Sequence, residues 1–200
     1  LLANGANVNQ ENNSGATPFI LASKADNIDV IKLLLDNNVH SVKQREKETS
    51  KTALHYTAEN ANIEACSILI SSGADVNDMS SDGFTPLMCA CTSGAVDVVW
   101  LLLDNGAYVN TVNNSNMTTL HIAAIHNHPD VCGTLLSAGV NINVTDENSD
   151  TALIHASRKG NYQVVRYLLD SGADKAIINK HGKSALDEAV QNNQKHVCPL

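Results

Sequence analysis

Apolar positions along this chain recur in two alternating patterns. The first is a dense stripe. It runs through Ile28, Val30, Ile31, Leu33, Leu34 and Leu35, then again from Val96 to Leu103 and from Tyr162 to Leu169. Spacings of three and four place such residues on one face of a helix. The second pattern is shorter, as in Thr85-Pro86-Leu87 with Ala90 and Cys91 behind it. A Thr side chain caps a helix start and Pro suits its first turn, so this phrase predicts a short helix with Leu87, Ala90 and Cys91 inward. Small residues at Ala90, Ala123 and Ala156 let neighbouring helices approach closely. Gly73, Gly106, Gly139 and Gly172 follow the dense stripes, where a helix stops in a left-handed conformation. Asn38, the next most tolerant type, holds that place earlier in the chain.

The two patterns form one unit that repeats. Thr17, Thr52, Thr85, Thr118, Thr151 and Ser184 open the short phrase at intervals of 35, 33, 33, 33 and 33 residues. A second phrase follows in Gly73-Ala74-Asp75-Val76-Asn77, Gly106-Ala107-Tyr108-Val109-Asn110 and Gly139-Val140-Asn141-Ile142-Asn143, with a weaker copy at Gly172-Ala173-Asp174. Gly5-Ala6-Asn7-Val8-Asn9 is the tail of an earlier unit. One helix pair cannot hide its apolar faces alone, so units of this kind stack and bury them jointly. The expectation is one elongated, curved all-α solenoid with hairpin-like fingers projecting between units.

On these phrases the chain resembles the ankyrin repeat family over essentially its whole length. The units divide as 1–11 for the tail of a preceding repeat, then 12–43, 44–79, 80–112, 113–145, 146–178 and an incomplete 179–200. The repeat at 44–79 carries a two-residue insertion between Asn38 and Thr52, with Ser50 where a finger glycine is expected. The segment 42–51 is dense in charge of both signs; it reads as a tolerated loop or as an extended finger that touches a partner. Leu1 falls near the end of a second helix and Leu200 inside one, just after Pro199. Neither end is polar and no Met opens the chain, which reads as a piece of a longer array.

Composition narrows the function. Thirteen Lys plus Arg stand against 21 Asp plus Glu, for a net charge of -8, which opposes a nucleic-acid partner. No apolar run reaches the length of a membrane span. From Thr52 to Ser157 there is no Lys or Arg and there are eleven acidic residues. Neutral drift of a solvated surface accounts for this. So does an acidic face that steers a basic protein partner. The five cysteines, Cys66, Cys89, Cys91, Cys132 and Cys198, read as small apolar side chains in a reducing, cytoplasmic setting. Asn-x-Ser/Thr triplets at Asn12, Asn113, Asn116 and Asn143 read as accidents of an Asn-rich chain.

No arrangement predicts catalysis, a cofactor, a metal or a small-molecule substrate. His121, His126 and His128 hint at zinc, but His121 shares its register with His55. The family resemblance implies that this His ties helix to finger, and that His126 and His128 lie at the turn between helices. Gly182-Lys183-Ser184 resembles the end of a phosphate loop, but the required upstream position is Ile177.

The resemblance further implies protein binding through finger tips and the concave side of the first helices. It implies exposure for the residue before each opening Thr or Ser: Ala16, Lys51, Phe84, Met117, Asp150 and Lys183. It implies the same for Lys24 and Ala25, Glu59 and Asn60, Thr92 and Ser93, Ile125 and His126, Arg158 and Lys159, and Gln191 and Asn192. Phe84, Met117 and Ile125 stand out as apolar residues at these places, a candidate anchor for a partner or a contact with neighbouring fingers. His126, Arg158 and Lys159 join them as candidate contacts. Trp100, at an outward position of a second helix, marks a second contact or lies over a neighbouring helix. Asn77, with Leu69 and Asp75 upstream, resembles finger asparagines that hydroxylases modify. The expected function is a non-catalytic protein-interaction scaffold. The alternatives are a substrate-recruiting array in an enzyme-linked protein, such as a ubiquitin-ligase adaptor or kinase, and the repeat region of a secreted toxin or channel.

Overall fold

The computed structural model describes residues 7–37, 42–194 and 196–198. The readings placed on Leu1, Gly5-Ala6, Asn38, Pro199 and Leu200 lie outside the described residues. The chain packs as two compact units, divided between Ala107 and Tyr108.

The first unit holds α1 (Pro18–Lys24), α2 (Ile28–Asp36), α3 (Ala53–Glu59), α4 (Ile63–Ser71), α5 (Pro86–Ser93) and α6 (Val96–Asp104). The second holds α7 (Thr119–Ile125), α8 (Pro129–Ser137), α9 (Ala152–Lys159), α10 (Tyr162–Asp170) and α11 (Ala185–Gln191). In the first unit α1, α3 and α5 form one row and α2, α4 and α6 the other; in the second, α7, α9 and α11 face α8 and α10. Strand pairing among the described residues is confined to single bridges, Arg45 with Thr52 and Thr145 with Thr151. The predicted all-α architecture of stacked helix pairs with hairpin fingers is what each unit shows.

The core follows the repeat. Phe19, Leu54, Leu87, Leu120 and Leu153 stand two residues after the opening Thr, and all are buried. Leu34, Leu69, Leu102, Leu135 and Leu168 are their buried counterparts on the second helices. Each such side chain contributes about 2 kcal/mol on burial. Ala90, Ala123 and Ala156 are fully buried, as close helix approach requires. Cys66 and Cys132 share a buried register with Val99 and Val165, and none of the described cysteines is in a disulfide.

Helix ends follow the predicted chemistry. The Thr17, Thr85 and Thr151 hydroxyls each accept from a backbone N–H three residues on. Gly73, Gly106, Gly139 and Gly172 close the second helices at φ between 84° and 90°, the left-handed region.

Candidate protein-binding surface

The fingers close by a device the sequence reading missed. Asn12, Ser80, Asn113, Asp146 and Asn179 recur at the repeat period. Each offers a side-chain oxygen to the backbone N–H four residues on, at Ala16, Phe84, Met117, Asp150 and Lys183, over 2.9 to 3.1 Å. The residue between, at Gly15, Gly83, Asn116, Ser149 or Gly182, takes positive φ. The signal was present as polar residues at that period, three places before a Gly, Asn or Ser. Asn113→Ala is expected to lower stability by about 1 to 2 kcal/mol, because two backbone N–H groups lose their acceptor; Asn113→Asp should stay near wild type. Urea unfolding checks both.

This closure corrects two exposure assignments. Ala16 and Asp150 are buried, at 0% and 3% exposure, because the turn draws its last residue inward. Ala16 packs with Ile20 and Tyr56. Lys51, Phe84, Met117 and Lys183 are half-buried, as are Thr92, Ser93, Ile125 and Arg158. Lys24, Ala25, Glu59, Asn60, His126, Lys159, Gln191 and Asn192 are exposed as expected.

The inserted finger is also explained. Its turn holds one extra residue: Glu46 takes the closing position, Ser50 accommodates φ of 54°, and the Ser50 N–H reaches Glu46 carbonyl at 2.8 Å. The Thr49 hydroxyl accepts from Lys51 N–H at 3.2 Å. Freed from turn closure, the longer Glu46 side chain accepts from the Tyr56 hydroxyl and from Thr49 Oγ1. Burial alone would raise the Glu46 carboxyl, but these hydrogen bonds and the Lys24 ammonium outweigh it and hold it below its ordinary value. Burial, then the bond to Glu46, pushes the Tyr56 hydroxyl up to about 12. Lys24 and Lys51 both stand over the Tyr56 ring, at 5.1 and 5.4 Å. Two further residues of this finger are engaged within the unit: Lys47 N–H donates to Ser14 carbonyl at 3.1 Å, and Arg45 pairs with Asp78.

The two helix histidines act as predicted, and one step further. Nδ1 of His55 accepts from Thr52 N–H at 3.1 Å, and its Nε2 donates to Phe84 carbonyl at 3.0 Å in the next finger. His121 does the same with Thr118, at 3.1 Å, and with Asp150 carbonyl, at 3.1 Å. Each therefore completes a capping box, a role usually given to Glu or Gln. Burial pushes both imidazoles down to about 4; for His121 the neighbouring His155 adds to this. His126 and His128 stack at the turn between α7 and α8, with ring centroids 6.4 Å apart.

A buried ionic cluster occupies the second unit. The Arg158 guanidinium bonds Glu188 Oε2 at 2.9 Å and Asp150 Oδ2 at 2.8 Å. The Asn179 amide donates to the same two carboxylates at 2.8 and 3.1 Å. The hydrogen bond from Arg158 holds the Glu188 carboxyl below its ordinary value. Arg158, a candidate contact by register, spends Nε and Nη2 inside the chain. Asp146, Asp150 and His155 bring potential metal-ligand atoms within 4.8 Å of one another. These atoms are already engaged: Asp146 Oδ2 with His155 at 2.9 Å, Asp146 Oδ1 with two backbone N–H groups, and Asp150 with Arg158. An ion there would compete with a resident cation.

A register rule emerges for the outer face of the first helices. In three repeats the residue before the opening Thr or Ser meets the residue eight places later. Lys51 pairs with Glu59 at 2.8 Å, Asp150 with Arg158, and Lys183 with Gln191. At Met117 and Ile125 the same two places are apolar and half-buried, with exposed His126 alongside. In the first unit Phe84 is half-buried opposite Thr92. Trp100 is 46% exposed on α6. The Asn77 side chain donates to Gly106 carbonyl at 3.0 Å.

The ankyrin repeat model, in its three-copy form, matches residues 1–80, 39–113, 77–146 and 120–200. The chain belongs to the ankyrin repeat family. It is similar to a putative ankyrin repeat protein of fowlpox virus, 34% identical over 99 residues, which are 50% of this chain and 67% of that protein. It is 36% identical over 97 residues to an ankyrin repeat protein of variola virus, covering 47% of this chain but only 17% of that one. A BTB/POZ domain and ankyrin repeat-containing protein of rice is 43% identical over 61 residues, 30% of this chain and 12% of its own length. Ankyrin repeats mediate protein–protein interaction, and no helix among the described residues is long and apolar enough to cross a membrane.

Proposed function

We propose that this chain is a non-catalytic scaffold that captures a protein partner on the outer face of its first helices and finger tips. In the second unit the contact centres on Met117 and Ile125, with His126 and Lys159 at its edge. The observation that carries this reading is the register rule. Where three other repeats close the same two places with polar links, this repeat offers an apolar pair. Phe84 plays the corresponding part in the first unit. The acidic stretch from Thr52 to Ser157 supports a partner with a basic surface, and the free thiols are consistent with work in a reducing, cytoplasmic compartment.

The test is Met117→Asp combined with Ile125→Asp. Proteins captured by the wild-type chain are identified, purified and titrated calorimetrically against wild type and variant. Binding is expected to fall at least about 100-fold, from loss of two apolar anchors, with an unchanged helical signal. Retained affinity would move the interface elsewhere. A second reading draws on the rice relative, whose name joins ankyrin repeats to a BTB/POZ domain. In a longer protein of that kind the same face serves as a recruiting arm for another domain's substrate.

A further inference from the structure

The outer face of the second helices in the first unit carries a site of its own. On α6, Asp97, Trp100 and Asp104 are all exposed. Their spacing of three and four puts them on one face, opposite the buried Val98, Val99 and Leu102. Neither carboxylate has a hydrogen bond or ion pair among the described residues.

The preceding step of the same unit shows what such a carboxylate takes. Glu64 is the second residue of α4, as Asp97 is of α6. Glu64 accepts the ammonium of Lys32 at 2.6 Å, from the fifth residue of α2. One step on, the fifth residue of α4 is Ser67, which carries no charge. Asp97 therefore stands where Glu64 pairs with Lys32 one step earlier, and no cation among the described residues pairs with it. Neither α4 nor α6 contains a Lys, Arg or His. Ser67 and Ser71 of α4 are exposed and small.

An exposed Trp with a carboxylate one turn to each side suits one kind of group. The indole face attracts a cation, most readily a planar guanidinium that stacks on it, and each carboxylate accepts its N–H donors. We propose that the Asp97–Trp100–Asp104 face binds an arginine side chain of a protein partner. This contact lies on helices other than those of the Met117 and Ile125 surface. It rests on the reading of the chain as a protein-capturing module but is tested with its own probe.

Trp100 is the only tryptophan, so its emission reports directly on the site. The probe is a fluorescein-labelled peptide with two arginines spaced by glycines, titrated against the whole chain at low salt. A saturable change in Trp100 emission is expected. In anisotropy, Asp97→Asn with Asp104→Asn should weaken binding about tenfold, and Trp100→Ala by about as much. Asp75→Asn with Asp82→Asn removes the same charge elsewhere and should leave the Kd within about twofold. Circular dichroism confirms that each variant is folded. Equal weakening by both carboxylate pairs, or peptide binding without any change in emission, overturns the proposal in favour of diffuse attraction to an acidic chain. Absence of binding overturns it outright. A Trp100 emission that shifts with protein concentration alone, together with a dimer in sedimentation, assigns the face to a second copy and also overturns it. None of these outcomes depends on Met117 or Ile125, so the two readings fail separately.

Discussion

Arg158→Leu is expected to lower the unfolding free energy by about 3 kcal/mol, the largest single effect on stability in the second unit. The reason is what remains behind. Asp150 and Glu188 are buried, at 3% and 6% exposure, and the guanidinium is the cation they share. Without it two carboxylates face each other, with the Asn179 amide shared between them and the Asn192 amide on Glu188. Adding Glu188→Gln to Arg158→Leu should recover a good part of the loss, because it removes the uncompensated charge. Urea unfolding of the single and double variants measures the difference. Equal stability of the two would mean that the loss came from packing of the Arg158 stem and not from charge.

Acid is expected to destabilise the protein well before its carboxylates titrate. His55 and His121 are buried and neutral, each with a pKa near 4 in the fold against an ordinary 6.5. A depressed histidine contributes stability that is complete above the unfolded value and is lost as pH falls from 6.5 towards 4. Over that window the unfolded chain takes up protons that the folded chain refuses. Burial drives the shift, and the hydrogen bonds give it a structural form. Protonating Nδ1 would remove the acceptor for Thr52 or Thr118 N–H and uncap α3 or α7. Each histidine therefore removes about 3 kcal/mol between pH 6.5 and 4, an upper figure from the size of the shift. His121→Gln keeps an acceptor at the capping position. It should roughly halve the slope of stability against pH in this window while costing little of the helix cap. Chemical unfolding at pH 7, 6, 5 and 4.5 tests it. An unchanged slope would mean that His121 is charged in the fold.

The architecture was legible because its determinants are local and repeated. A capping Thr, a Leu two residues later and a Gly after each apolar stripe are written at nearly constant intervals, so every copy supports the others. The surface was legible only in part. Register told which residues leave the core, but Ala16 and Asp150 showed that register is not exposure. Asp150 is drawn in by a turn that closes on Asp146 and is then held by Arg158 from α9 and Asn179 from the next finger. Those partners lie 8 and 29 residues away. The positions recur at the repeat period, but which residue types meet there differs from copy to copy, so the burial of this copy could not be read from the period alone. Glu46 was hidden for a different reason: its role follows from one inserted residue, and an insertion reads in sequence only as a broken interval. Likewise, Trp100 could be seen to point outward, but the lack of a cation for Asp97 among the described residues emerged only once Lys32 and Glu64 were seen to pair one step earlier.

The buried thiols offer a way to watch the units come apart. Burial pushes Cys66 up to about 11 and Cys89 and Cys132 up to about 12. The thiolate is the form that attacks alkylating reagents, so these side chains stay silent until the surrounding helices separate. Cys66 and Cys89 belong to the first unit and Cys132 to the second. Mass-resolved labelling rates at these sites become clocks of local opening. Equal rates mean that the two units melt as one cooperative body, and unequal rates name the unit that yields first.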